Sequence, residues 1–126
     1  MSQDATIAVF WAGSIPYYSD HYAIDFLGKS DKYIASLSPH LPAEIVWLQR
    51  VTLPGHNKYD LNYTIEELQP VYVQRFEWHG KNLRYYVSAN YVLFEYQNLM
   101  GKTILILKKD SPYVYWDKGK ILKWSQ

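Results

Sequence analysis

Two short segments concentrate the residues that can do chemistry. In Asp25-Phe26-Leu27-Gly28-Lys29-Ser30-Asp31 two carboxylates bracket a glycine. Paired carboxylates can divide acid and base roles or hold a cation, and both uses demand a definite separation or ligand count. In Pro54-Gly55-His56-Asn57-Lys58-Tyr59-Asp60 an imidazole, an ammonium and two Asx side chains follow a Pro-Gly turn signal. Those types hydrogen-bond polyhydroxylated or phosphorylated ligands. Each also has a plainer use: Asp31 as a helix cap, Asp25 as an acceptor for loop amides at a strand end, His56, Asn57 and Asp60 as braces of a long loop. If strand end and loop meet, Asp25, Asp31, His56 and Asp60 form one polar cluster in a Tyr-rich surround.

Other chemistries lack their residues. His21, His40, His56 and His79 show no His-Glu-x-x-His spacing, and the chain has no cysteine, so neither a zinc set nor a thiol nucleophile is supported. Ser14 follows an apolar run but lacks the Gly-x-Ser-x-Gly frame, and Pro16 is expected to obstruct the helix an esterase elbow requires. Glycine-rich phosphate loops are missing as well. The reading therefore assigns no catalytic residue, no metal and no cofactor.

Aromatic residues make up 17% of the 126 positions, with thirteen Tyr and five Trp against four Phe. That skew favours rings with a polar tip, suited to half-wet sheets, sugar faces and membrane–water boundaries. Tyr17 and Tyr18 are the adjacent pair nearest the acidic segment. Thirteen basic and twelve acidic side chains leave a net charge of +1, too small to steer the molecule to nucleic acid. No run approaches the roughly 20 apolar residues of a membrane-spanning helix, and Met1-Ser2-Gln3-Asp4 has no secretory-signal pattern.

The elements that must position these groups follow from periodicity. Ile7 to Ala12 reads as a buried strand, and Pro16 to Asp20 as a loop. Tyr22 to Leu27 reads as a second strand, followed by a short helix capped by Ser30 or Asp31. Thr64 and Glu67 fit a capping box, with a strand over Val71 to Phe76. Tyr91 to Tyr96 and Lys102 to Leu107, separated by Asn98 and Gly101, signal a hairpin; Val114 to Trp116 and Ile121 to Trp124 signal a weaker one. The expected fold is α/β to α+β: one domain over 1–126, a small mixed sheet with a few short helices and a hairpin-rich C-terminal third.

Three stretches also resemble successive motifs of one family: Phe10-Trp11-Ala12-Gly13-Ser14-Ile15-Pro16-Tyr17-Tyr18-Ser19, Ile24-Asp25-Phe26-Leu27-Gly28-Lys29-Ser30-Asp31-Lys32-Tyr33-Ile34-Ala35, and Pro54 to Asp60. They resemble the soluble extracytoplasmic domain of bacterial GT-C-type membrane glycosyltransferases, relatives of the protein mannosyltransferases and lipid A aminoarabinose transferases. The resemblance covers roughly residues 6 to 76; Ala43 to Arg50 has no counterpart in it. It implies a non-catalytic domain on the periplasmic side of the inner membrane, attached to a polytopic part that takes sugar from a polyprenyl phosphate. The catalytic carboxylate of that family lies in the membrane part. The partners implied are that transmembrane part, the membrane surface and a polyprenyl-phosphate-linked sugar or its acceptor. Asp25, Asp31, His56, Asn57, Lys58, Asp60, Tyr17 and Tyr18 are the ligand-binding candidates, and part of the aromatic surplus is expected to lie exposed on one face. The alternatives are an independent carbohydrate-binding module with Tyr and Trp platforms, and a hydrolase built on Asp25, Asp31 and His56.

Overall fold

In the computed structural model, which describes residues 1–10, 13–40, 57–74 and 81–124, a single mixed sheet organises the chain. Its strands are β1 (Ile7–Val9), β2 (Ala23–Asp25), β3 (Tyr72–Val73), β4 (Tyr91–Asn98), β5 (Gly101–Lys108) and β6 (Gly119–Leu122). They lie in the order β2-β1-β3-β5-β4-β6. β1 pairs in parallel with both β2 and β3, and the remaining pairings are antiparallel. The domain is thus a small α+β mixed sheet with short helices, as the periodicity indicates. β1 is buried along its whole length, the condition under which a strand reads as a continuous apolar run instead of alternating.

The two faces of the sheet have separate cores. On one, Ala8, Val73 and Tyr91 meet Leu61 and Ile65 from the 61–67 segment and Leu83 and Val87 from the helix over Lys81–Asn90. On the other, Phe94 and Leu107 are covered by Ala5 and Val114 from the chain's N-terminal and C-terminal segments. The long hairpin obeys its pattern: Phe94 pairs with Leu105 and Leu93 with Ile106, so neighbouring rungs feed opposite cores. Gly119 sits where β6 crosses Phe94, and a Cβ there would meet the Phe94 ring at 2.5 Å. The close approach of backbone to ring explains a glycine at this strand start.

Three local expectations are corrected. Ser14–Ser19 is a helix, α1, where a loop was expected over 16–20. Pro16 is its third residue, inside the first turn, where the missing N–H has no intrahelical partner to lose. The segment opened by the Thr64 and Glu67 pattern begins earlier, as a π-helical turn over Asn62–Glu67, with Thr64 buried inside it. Val114 to Trp116 is not a strand: Trp116–Lys118 forms a 3-10 turn, and β6 pairs with β4. The helix expected after Asp31 is present as α2 (Lys32–Ser36). A further helix, α3 (Lys81–Asn90), went unread in the sequence; its Leu83 and Val87 recur at the i, i+4 spacing of one buried stripe.

Candidate functional site

Asp25 ends β2 with its carboxylate 1% exposed. Oδ1 accepts from the Leu27 amide at 2.9 Å, while Oδ2 accepts from the Ser30 amide at 3.0 Å and the Ser30 hydroxyl at 3.4 Å. The carboxylate is the scaffold of the loop that follows. Gly28 completes that loop at φ +67° with Ile34 packed against its Cα. Asp31 stands in extended geometry at the N-cap of α2, its Oδ1 accepting from the Ile34 amide at 3.0 Å.

Asp60 repeats the device on the second segment. Its Oδ1 accepts from the Tyr63 amide at 3.0 Å, and its carbonyl accepts from the Thr64 amide at 3.1 Å and the Thr64 hydroxyl at 2.9 Å. The two capped turns are then cross-tied. Tyr33 of α2 donates its hydroxyl to Asp60 Oδ2 at 3.2 Å, and Tyr63 of the π-helical turn donates to Asp31 Oδ2 at 3.5 Å. Their rings lie 4.4 Å apart, tilted by 47°. Each turn's tyrosine thereby reaches the other turn's capping aspartate.

Both phenols are raised above the ordinary tyrosine range. For Tyr33 the main cause is the hydrogen bond to Asp60, and for Tyr63 it is desolvation, followed by the charge of Asp31. An anion beside a phenol favours the neutral, donating form.

Further ties extend the seam. Lys58 Nζ donates to the Ala35 carbonyl at 2.6 Å, at the C-terminal end of α2, where a cation meets unpaired carbonyls. Asn57 contributes its backbone: its carbonyl accepts from the His40 amide at 2.6 Å. The His40 ring stacks on Tyr59 at 4.3 Å and bonds the Tyr59 carbonyl at 3.0 Å.

Beside this seam, between β2 and the 63–68 segment, opens a cavity of about 200 Å³. Asp25, Ser30 and Asp31 form one wall, Tyr22 and Tyr63 contribute rings, and Leu68 contributes an apolar surface. Among the described residues, Asp31 reaches the cavity with an oxygen, Oδ2, held only by the long bond from Tyr63. The arrangement can accept hydrogen bonds from hydroxyl groups and offer aromatic faces. It is poorly arranged for acid–base chemistry, because Asp25 and Asp60 already serve backbone amides. Among the described residues no group of three His, Cys, Asp or Glu side chains could hold a metal ion.

Of the residues singled out in the sequence, Asp31, Lys58 and Asp60 come together with the Asn57 backbone, and Asp25 adjoins them through Ser30. His56 lies outside the described residues, as does the 43–50 segment. Tyr17 and Tyr18 stand on α1, 80% and 84% exposed, touching each other edge-to-face at 5.1 Å; neither lines the cavity. The sequence reading missed Tyr22, Tyr33 and Tyr63 as site residues. A legible signal existed: each capping aspartate is followed by a tyrosine within the first turn, as Asp31-Lys32-Tyr33 and Asp60-Leu61-Asn62-Tyr63.

A family model described as Domain of unknown function (DUF8728) matches residues 1–115, which takes in the whole seam and cavity. No curated protein and no solved structure matches the chain.

Proposed function

We propose that this chain, which belongs to the DUF8728 family, serves as the non-catalytic extracytoplasmic domain of a polyprenyl-phosphate-sugar-dependent membrane glycosyltransferase. The observation that carries the reading is the cross-tie of Tyr33 to Asp60 and Tyr63 to Asp31. It brings two of the three motifs that resemble that family into one face, beside a cavity walled by tyrosine rings and an aspartate. Such a face suits a sugar ring, whose apolar side stacks on an aromatic and whose hydroxyls donate to a carboxylate. The engagement of Asp25 and Asp60 with loop amides suits a shaping role and not a catalytic one. The domain borders the donor or acceptor site while the membrane part performs the transfer.

Two measurements test the reading. The reading frame upstream of the sequence is expected to encode a series of long apolar helices, and an upstream frame without any removes the membrane glycosyltransferase. Titration of the labelled chain with a short-chain polyprenyl-phosphate sugar is expected to shift amides of residues 22–36 and 57–68. Unchanged spectra at millimolar ligand remove the sugar-facing role of this cavity. Tyr22 and Tyr63 flanking the cavity also favour the second reading, an independent carbohydrate-binding module. Sugar-induced shifts together with no upstream helices select that module.

A further inference from the structure

The two most exposed large apolar side chains of the described residues are consecutive. Leu99 and Met100, at 107% and 99% of full exposure, form the turn between β4 and β5. Single exposed apolar residues are ordinary on protein surfaces, but two together at a hairpin tip are not. Two-residue hairpin turns favour Asn-Gly or Asp-Gly. Here the turn is held from outside those two positions. Asn98 Oδ1 accepts from the Met100 amide at 2.8 Å, and Gly101 takes the positive φ of 124°. Leu99 and Met100 are therefore presented by an ordered turn and are not needed to form it.

Chemistry is graded with distance from the tip. Lys102 lies one rung behind the turn, opposite Gln97, and Tyr96 lies on the next rung with Gly119 of β6 beside it. Glu95 follows, flanked by Ile104 and Lys120. On the Tyr96 side, Tyr115 and Lys118 rim an apolar trough of about 360 Å³ floored by Phe94 and Leu105. At about 3.3 Å per residue, the order runs apolar tip, then lysine and tyrosine within roughly 10 Å. That is the sequence of chemistries met on entering a bilayer from its acyl boundary outward through the headgroups. The part of the chain that holds the hairpin is also its basic part. Residues 91–126 carry six lysines against Glu95, Asp110 and Asp117, while residues 1–90 carry seven basic against nine acidic side chains. Both lysines of the ion pairs Lys102–Glu95 and Lys118–Asp117 are 66% exposed, so lipid phosphates can compete for them.

We infer that the β4–β5 hairpin is a shallow membrane-contact element, inserting Leu99 and Met100 into the headgroup boundary of a bilayer that contains anionic lipid. Tyr96 and Tyr115 sit at headgroup depth, and Lys102, Lys118 and Lys120 meet phosphate. The contact is independent of what occupies the cavity at β2, which β1 and β3 separate from the hairpin in the strand order.

The chain has no cysteine, so Met100→Cys carries a polarity-sensitive fluorophore at one site, with Tyr85→Cys, at an exposed position of α3, as its control. With vesicles of phosphatidylglycerol and phosphatidylcholine in equal parts, a blue shift is expected at position 100 and none at 85. Flotation of the unlabelled Leu99→Ser/Met100→Ser chain with the same vesicles is expected to show partitioning weakened about tenfold or more. No shift at position 100, an equal shift at both positions, or a shift that grows with protein concentration without vesicles overturns the inference; the last marks self-association. Unchanged flotation of the double variant overturns it too. None of these readouts touches residues 22–36, so failure here leaves the sugar titration to stand or fall alone.

Discussion

Replacing Asp25 by alanine is expected to lower the free energy of unfolding by about 3–5 kcal/mol, since each buried donor left without an acceptor costs about 1–3 kcal/mol. The Leu27 and Ser30 amides both rely on this carboxylate, and the Ser30 hydroxyl adds a weaker contact. Burial of Asp25 and Leu27 keeps water from replacing the carboxylate at the Leu27 amide, so the loop must open or leave that donor unpaired. The exposed Ser30 gives up two bonds to a charged acceptor. Asp25→Asn should fall between, because the amide oxygen can satisfy one backbone donor while its NH2 group opposes the other. Denaturant unfolding of the three chains gives the order directly. A loss below about 1 kcal/mol for the alanine variant, within the range of an ordinary surface change, would show that the loop is not built on Asp25. The same comparison separates two uses of the acidic segment. A catalytic aspartate can be replaced with little cost in stability, whereas this one holds the wall of the candidate site.

Gly28→Ala is the second large effect, at about 2–4 kcal/mol. Part is backbone: at φ +67° an L side chain costs roughly 1 kcal/mol or more. The rest is steric, because the new methyl would lie 2.5 Å from Ile34 Cγ2, 2.7 Å from Ile34 Cβ and 3.0 Å from the Ala35 nitrogen. Overpacking of that kind costs about 1–3 kcal/mol. Since Ile34 is itself fully buried, the clash cannot be relieved by swinging the side chain into solvent. A double-mutant cycle isolates the two parts. In an Ile34→Ala background the steric cost should shrink and the backbone cost remain, giving a coupling of about 1 kcal/mol or more. Strict additivity of the two substitutions would place the whole effect in the backbone angle and contradict the packing argument.

The legible parts of the fold were those in which one local signal decided the outcome. The apolar run at β1 is legible because a strand buried on both faces has no alternation to obscure. The β4–β5 hairpin is legible because alternation, Asn98 and Gly101 agree, and the cap at Asp31 because the extended residue before a helix favours a side-chain acceptor. What was illegible depended on partners far away in sequence. Val114 to Trp116 has the composition of a strand, yet β6 finds its neighbour in β4, leaving the segment to cover Phe94 with Val114 and Trp116. Pro16 suggested a break, but its meaning turned on where α1 begins. For the site, the acidic residues were visible by type, while their joining was carried by Tyr33 and Tyr63, residues whose aromatic bodies read equally well as helix packing. Only the folded chain shows which aspartate each hydroxyl meets.

The uneven construction of the sheet has a kinetic consequence. β4, β5, β6 and α3 lie within residues 81–124, and the eight-rung β4–β5 ladder closes across two residues. The parallel half joins Ile7 to Ala23 and Ile7 to Tyr72 through strands of two or three residues. Loop-closure entropy falls mainly on that half, so the hairpin region is expected to assemble first and the β1–β2–β3 region last. By the same account the late-forming region opens first in the native state, and its amides exchange hydrogen ahead of those in β4 and β5; the reverse order would contradict it. A ligand held along β2 would therefore act as the fastener of the loosest part of the molecule, slowing exchange there while the hairpin's amides keep their own pace.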